Sequence, residues 1–97
     1  MITNKQRAYL TSLAAKETSI LSIGKADITP EFINACQEAI EKRELIKISV
    51  QKNCFSDLHE LADTLAQRTR SSVVRVIGRK IILYRPAKKP VIQLGES

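Results

Sequence analysis

Few residues in this chain are of a type that could do acid–base or nucleophilic chemistry. The 97 residues include one histidine, His59, and two cysteines, Cys36 and Cys54. His59 is expected early in a helix, away from its apolar stripe, and therefore exposed rather than placed as a general base. No HExxH, GxSxG or Walker pattern occurs, and the carboxylates lie mostly in first helical turns, where they complement the helix dipole. The sequence therefore nominates no catalytic residue and predicts no enzyme.

The same residues do not make a metal site. A structural zinc site usually needs four Cys or His ligands, and three scattered residues without a CxxC pair do not supply them. We expect two reduced, mostly buried thiols, as in a reducing cytoplasm. The N-terminus has no apolar run of signal-peptide length, and no segment is predicted to span a membrane. The sequence predicts a cytoplasmic protein without cofactor, metal or membrane partner.

A short loop between a strand and a helix is the first candidate binding feature. Gly24, Lys25, Ala26 and Asp27 precede a helix N-terminus, where backbone N–H groups can face an anion. Gly24 allows close approach of a backbone, and Lys25 adds a mobile charge. Taken alone, the loop is better explained as an ordinary strand-to-helix turn.

The charge balance points to a polyanionic partner. Sixteen Lys and Arg against ten Asp and Glu give a formal charge of +6, which makes nucleic acid a plausible ligand, although it is also an ordinary charge for a soluble protein. The eight basic positions from residue 68 onward could be helix-end or hairpin-tip charges, and they form a footprint only if the fold gathers them. They are Arg68, Arg70, Arg75, Arg79, Lys80, Arg85, Lys88 and Lys89.

The first helix is predicted over residues 4–16, where Thr3 and Gln6 form a capping box. Its apolar stripe has helical spacing and consists of Tyr9, Leu10, Leu13 and Ala14. Its opposite face, free for solvent or phosphate, carries Lys5, Ser12 and Lys16.

The remaining elements alternate. A strand over 20–23 is followed by a helix capped by Thr29 that ends near residue 42 or 43, and a second strand spans 45–50. A helix with a capping box of Asp57 and Glu60 ends near Thr69. Strands over 73–77 and 81–84 form a hairpin through Gly78 and Arg79, and residues 91–94 are a possible short edge strand.

The order α-β-α-β-α-β-β predicts an α/β fold, a two-layer sandwich with helices packed on a four-stranded mixed sheet. Helices between strands imply mostly parallel pairing, with one antiparallel strand added by the last hairpin. We expect one domain over 1–97, with a core of about 3–86 and a short tail over 87–97.

Several segments resemble a known family. They are the helix with Lys5 and Arg7, the loop Ile23-Gly24-Lys25 leading to Ile28-Thr29, the strand ELIKI over 44–48 and the closing IGRKIILYRP over 77–86. Together they resemble CRM domains (chloroplast RNA splicing and ribosome maturation), nearest the bacterial single-domain YhbY-like branch, over about residues 3–94.

The resemblance implies an α/β sandwich similar to the C-terminal domain of a bacterial translation initiation factor. It also implies RNA binding, association with precursors of the large ribosomal subunit, and no enzymatic activity. The family loop carries a GxxG motif: Gly24 and Lys25 match its first two positions, and Asp27 replaces the second glycine. Ser71 and Ser72 stand where relatives often have Gly-Gly.

The sequence therefore predicts a monomeric RNA-binding protein that contacts ribosomal RNA (rRNA) of the large-subunit (50S) precursor and assists ribosome assembly, with ribosomal proteins as further candidate partners. The predicted RNA contacts are Lys5, Arg7, Lys16, Gly24, Lys25, Ala26, Arg68, Arg70, Arg79 and Lys80. A protein-interaction module with incidental RNA contact is the alternative, because Asp27 is acidic and aromatic platforms are few. A small enzyme with a cleft around His59 is a third hypothesis.

Overall fold

The computed structural model describes residues 2–25 and 27–86, and the predicted element order is confirmed. The tail with Lys88 and Lys89 and the possible strand over 91–94 lie outside the described residues. The helices and strands are α1 (Asn4–Ala15), β1 (Leu21–Ile23), α2 (Pro30–Arg43), β2 (Leu45–Val50), α3 (Leu58–Thr69), β3 (Ser72–Ile77) and β4 (Lys80–Tyr84).

The helix starts follow from their capping residues. The Gln6 amide donates to Thr3 Oγ1 at 3.1 Å, and Gln6 Oε1 accepts from the Thr3 amide at 3.0 Å, so the predicted capping box is present. Thr29 caps α2 ahead of Pro30. Asp57 caps α3, and its carboxylate accepts from the amide of His59 at 2.8 Å. The predicted capping box requires the amide of Glu60 instead, one residue later.

The sheet has the strand order β1-β2-β4-β3. β1 pairs with β2 in parallel, whereas β4 pairs antiparallel with both β2 and β3. The expectation of mostly parallel pairing is wrong, although β1, β2 and β3 do run in one direction. The hairpin folds β4 back between β2 and β3, so two of the three strand pairs become antiparallel.

Helices cover both faces of the sheet, and each face has its own apolar cluster. The α/β sandwich with a four-stranded mixed sheet is confirmed. It has helices on both faces, and therefore three layers rather than the two expected, because α1 lies alone on the second face. The cluster under α2 and α3 includes Cys36, Ile40, Ile46, Ile48, Leu61, Leu65, Ile81 and Leu83. The cluster under α1 is formed by Leu10, Ala14, Leu45, Val74, Ile82 and Tyr84.

The β3–β4 connection is a two-residue turn, with Ile77 paired to Lys80. Gly78 has φ +55°, and Arg79 has a negative φ, which is the φ pattern of a type II′ turn. Glycine is favoured there because a positive φ brings no Cβ clash. The turn places the Arg79 side chain beside the segment that follows β2.

Candidate nucleic-acid interface

Three loops meet at one end of the sheet, which we call the loop end: residues 24–29, residues 51–57 and the turn at 78–79. The strand directions require this, because β1, β2 and β3 all finish at that end. Backbone bonds join the loops. The Gln51 amide donates to Ile23 O at 2.8 Å, and the Val50 amide donates to Arg79 O at 2.8 Å. The N-termini of α2 and α3 lie at the same end, because each helix follows a strand that finishes there.

The loop after β1 is a turn closed on itself. The Asp27 amide donates to Gly24 O at 3.0 Å. Gly24 has no positive φ; its small size matters for another reason. A Cβ at this position would lie 3.3 Å from Gln51 Oε1, closer than most contacts of real Cβ atoms. Glycine therefore lets the turn pack tightly against the neighbouring loop.

Asp27 stands where the family motif has its second glycine, and its backbone explains why glycine suits that position. Its φ is 63°, a left-handed conformation that Gly adopts freely and that Asp and Asn tolerate better than most residues. Its Oδ1 accepts from the Ile28 amide at 2.8 Å, and its Oδ2 accepts from Ser56 Oγ. The carboxylate therefore ties the first loop to the second.

The side chain of Arg79, a predicted RNA contact, crosses the loop end. Its Nε donates to Val50 O at 2.9 Å, and its Nη2 donates to Gln51 O at 2.6 Å and to Cys54 O at 3.0 Å. These bonds use three of the five guanidinium N–H groups. Arg79 thus holds the second loop in place, and its positive charge stays at the loop end.

Two lysines project from this framework. Lys25 and Lys52 are exposed, and within residues 2–25 and 27–86 neither enters a hydrogen bond or an ion pair. Lys80 is exposed as well, and its Nζ lies 2.6 Å from Ser49 Oγ and 3.3 Å from Ser19 Oγ. Exposed carboxylates of Glu31 and Glu60 occupy the first turns of α2 and α3. The loop end is therefore a mixed surface with mobile cations at its loops.

The structure does not bring all the predicted contacts together. The loop end holds Gly24, Lys25, Arg79 and Lys80. Lys5 and Lys16 are exposed on α1 and at its C-cap. Arg7 is partly buried against the sheet, where its Nε donates to Val74 O at 2.8 Å and its Nη1 to Asn4 Oδ1 at 3.1 Å. Ala26 lies outside the described residues.

Arg68 and Arg70 lie at the opposite end of the sheet, where α3 finishes and β3 begins. Both are exposed, and with Arg85 they line a polar pocket. Arg85 donates to Thr69 O at 2.8 Å and pairs with Glu41 at 3.5 Å. Arg70 has the left-handed backbone that ends α3, and neither Ser71 nor Ser72 has a positive φ.

Sequence reasoning missed two residues at the loop end, the exposed Lys52 and Phe55. Phe55 is 95% exposed, the highest value among the large apolar residues described as exposed. It lies in the loop between β2 and α3, between Cys54 and Ser56. The available signal was a single aromatic residue in an otherwise polar segment, QKNCFSD.

Some side chains are of types that could serve acid–base, thiol or metal chemistry. Cys36 and Cys54 are buried and free, as expected, and burial raises the pKa of the Cys36 thiol to about 12. The pKa of Tyr84 is also raised, by burial and by the nearby charge of Glu44. His59 is exposed near the start of α3. Among residues 2–25 and 27–86, no three His, Cys, Asp or Glu side chains form a group that could hold a metal. No helix in that part of the chain is long and apolar enough to cross a membrane.

The fold and this end of the sheet define a small α/β domain that presents a glycine-containing loop with an exposed lysine beside helix N-termini. The chain belongs to the CRS1/YhbY (CRM) domain family, whose model matches residues 2–85.

The chain is similar to a protein of Bacillus subtilis (strain 168) named probable RNA-binding protein YqeI, with 40% identity over 89 residues, covering 92% of this chain and 93% of that protein. It is also similar to the solution structure of hypothetical protein SAV1595 from Staphylococcus aureus, described as a candidate RNA-binding protein. That structure has 45% identity and a TM-score of 0.84, and the match covers 98% of this chain and 100% of the other. A further relative is the chloroplastic CRM-domain containing factor CFM2 of Arabidopsis thaliana, with 32% identity over 78% of this chain and 8% of that protein.

Proposed function

We propose that this protein binds RNA through the loop end, and that its target is rRNA in precursors of the large ribosomal subunit. One observation carries the proposal: the loop over 51–57 is bonded both to the Gly24 turn and to Arg79 beside two helix N-termini, while Lys25 and Lys52 remain exposed and unpaired among the described residues. Exposed lysines on a hydrogen-bonded loop framework beside helix N-termini suit the phosphate backbone of a nucleic acid.

Asp27 opposes this proposal less than its charge alone would suggest. Both of its carboxylate oxygens accept hydrogen bonds from within the protein, one from Ile28 and one from Ser56. A phosphate at the turn would therefore meet a carboxylate already committed to internal donors. The main motive for a protein-interaction module with incidental RNA contact is weaker for that reason.

Matched charge changes at the two ends of the sheet test the location. Lys25→Gln with Lys52→Gln removes two charges from the loop end, and Arg68→Gln with Arg70→Gln removes two from the opposite end. All four residues are exposed, so folding should be preserved. We expect the loop-end variant to bind rRNA fragments more weakly, with a log–log salt slope lower by about 1 per lost phosphate contact.

The outcomes of this comparison are distinct. A larger loss in the variant of Arg68 and Arg70 would place the RNA at the opposite end and contradict the loop-end site. Absence of wild-type binding would contradict RNA binding itself, and binding that does not change between about 50 and 200 mM salt would contradict recognition through the phosphates. Lys5 and Lys16 stay predicted contacts, and their neutralisation belongs in the same series.

The identity of the RNA needs an experiment in cells. Ultraviolet crosslinking followed by sequencing of the bound RNA should enrich large-subunit rRNA, and the loop-end variant should reduce that enrichment. Crosslinks spread over messenger RNAs without enrichment of rRNA would contradict the proposed target. Association with ribosome precursors that survives the loop-end change would favour the protein-interaction alternative. We propose no catalytic role.

A further inference from the structure

Phe55 is the aromatic residue that the fold leaves to solvent. All four aromatic residues of the chain fall in the described part: Tyr84 is buried, Phe32 is half-buried, Tyr9 is 46% exposed and Phe55 is 95% exposed. Full burial of a phenylalanine stabilises a protein by about 1.5–3 kcal/mol, and this side chain contributes almost none of that. A single exposed apolar residue is common on protein surfaces, so exposure alone assigns no role.

The backbone around Phe55 is fixed on both sides. Cys54 is 4% exposed, its amide donates to Gln51 O at 3.1 Å, and its carbonyl accepts from Arg79 at 3.0 Å. Ser56 donates its hydroxyl to the Asp27 carboxylate. Phe55 therefore projects from a segment that is held at both neighbours, and a ligand would not have to order the loop in order to reach the ring.

Two exposed lysines, Lys52 and Lys25, lie on the loop of Phe55 and on the turn bonded to it, although the exposed carboxylate of Asp57 also follows the ring by two residues. Phe55 follows the exposed Lys52 by three residues, and the Asp27–Ser56 bond joins its loop to the turn that carries Lys25. A flat apolar face next to mobile ammonium groups matches the chemistry of single-stranded nucleic acid, in which unpaired bases alternate with phosphates. A duplex offers the same phosphates without exposed base faces.

We propose that Phe55 stacks on an unpaired base of the bound RNA, so that the loop end selects RNA segments with unpaired nucleotides beside the phosphates that Lys25 and Lys52 contact. This inference rests on the proposed RNA binding and specifies which structure of RNA is preferred. It makes Phe55 a specificity-determining residue, because the lysines alone would accept paired and unpaired RNA alike.

The test compares an RNA hairpin that has an unpaired loop with an RNA duplex of equal length. Phe55→Ala should weaken binding to the hairpin about 5- to 150-fold, the loss that corresponds to about 1–3 kcal/mol of base stacking, and should leave duplex binding unchanged. The salt slope should stay the same, because no charge is removed. The thermal midpoint should also be unchanged, since the ring is 95% exposed.

Two conservative variants separate stacking from apolar contact. Phe55→Tyr retains the ring and should bind the hairpin like the wild type. Phe55→Leu keeps apolar surface without a π-face and should bind it nearly as weakly as Phe55→Ala. If Phe55→Leu bound the hairpin as tightly as the wild type does, the stacking role would be overturned.

A fluorescence measurement reports the contact directly, because the chain has no tryptophan. Phe55→Trp introduces a single indole that the hairpin should quench on binding, whereas Thr64→Trp, at an exposed position in the middle of α3, should respond little. Hairpin binding by the wild type with no loss in Phe55→Ala would overturn this inference and leave RNA binding intact. Failure of the wild type to bind either RNA would overturn both.

Discussion

Substitution of Arg79 is the most direct test of whether a predicted RNA contact is instead a structural residue. Its guanidinium donates to the backbone carbonyls of Val50, Gln51 and Cys54 at 2.6–3.0 Å. A hydrogen bond typically contributes about 0.5–1.5 kcal/mol, and more with a charged donor. Because Arg79 is partly exposed, water can replace some of these bonds. We therefore expect Arg79→Ala to lower the free energy of unfolding by about 2–3 kcal/mol.

For a domain of this size, that loss corresponds to a fall of roughly 10–20 °C in the thermal midpoint. Arg79→Lys keeps the charge but has no fork to reach three carbonyls, so it should lose most of the same stability. Arg75→Ala is the matched control: Arg75 is exposed on β3, and its loss should change stability by less than about 0.5 kcal/mol. Urea and thermal unfolding measure all three.

The RNA affinity of the folded variants completes this test. If Arg79→Ala and Arg79→Lys unfold like the wild type while their RNA affinity falls, Arg79 acts through phosphate and the reasoning from its three carbonyls is refuted. If stability falls and the residual affinity of Arg79→Lys follows the folded fraction, the side chain acts by holding the loop.

Two further predictions concern a turn and a buried thiol. Asp27 has φ 63°, so Asp27→Gly should stay within about 1 kcal/mol of the wild type, whereas Asp27→Ala should lose about 1–2 kcal/mol more in urea unfolding; equal losses would mean that the backbone is not the cause. Burial raises the pKa of the Cys36 thiol from 9.0 to about 12. Between pH 9 and about pH 12 the unfolded chain therefore releases a proton that the folded chain keeps. Stability should hold below about pH 9 and fall above it by up to about 1.4 kcal/mol per pH unit. In Cys36→Ala the free energy of unfolding should decline less steeply with pH, and the remaining decline is due to the raised pKa of Tyr84. Equal slopes in the variant and the wild type would contradict the assignment to Cys36.

Local signals carried the prediction of the elements. Thr3, Thr29 and Asp57 are capping residues that act within three positions along the chain, and all three begin helices as predicted. The apolar spacing of α3 placed Leu61 and Leu65 in the core. Such patterns depend on neighbours in sequence and need no knowledge of the fold.

The pairing of the strands depends on contacts between distant residues, and there the prediction was right for the antiparallel hairpin but wrong in expecting mostly parallel pairs. A signal was nevertheless present in β4, whose residues Ile81, Ile82, Leu83 and Tyr84 are all buried. Four apolar residues in a row are typical of a strand covered on both faces, and this pattern favours a central position. β3, by contrast, carries the exposed Arg75 and lies at the edge.

The candidate site was predicted in part for the same reason. The Gly24 turn could be recognised because a strand and a cap flank it directly. The charges of Arg7 and Arg79 were predicted to face RNA, but both side chains donate to carbonyls that are far away in sequence. Arg7 donates to the carbonyl of Val74. Arg79 donates to the carbonyls of Val50, Gln51 and Cys54. Nothing local distinguishes an arginine that binds a carbonyl from one that is free.

The central position of β4 has a consequence for biosynthesis. β2 and β3 share no hydrogen-bonded edge, and within the sheet they are joined only through the strand that is translated after both. A nascent chain that ends before Lys80 can form helices and the β1–β2 pair, but its sheet lacks the strand that joins the two halves. The domain should therefore acquire its cooperative fold late in translation, and ribosome-bound chains arrested before Lys80 should be sensitive to protease while chains extended past Tyr84 and clear of the ribosome resist it.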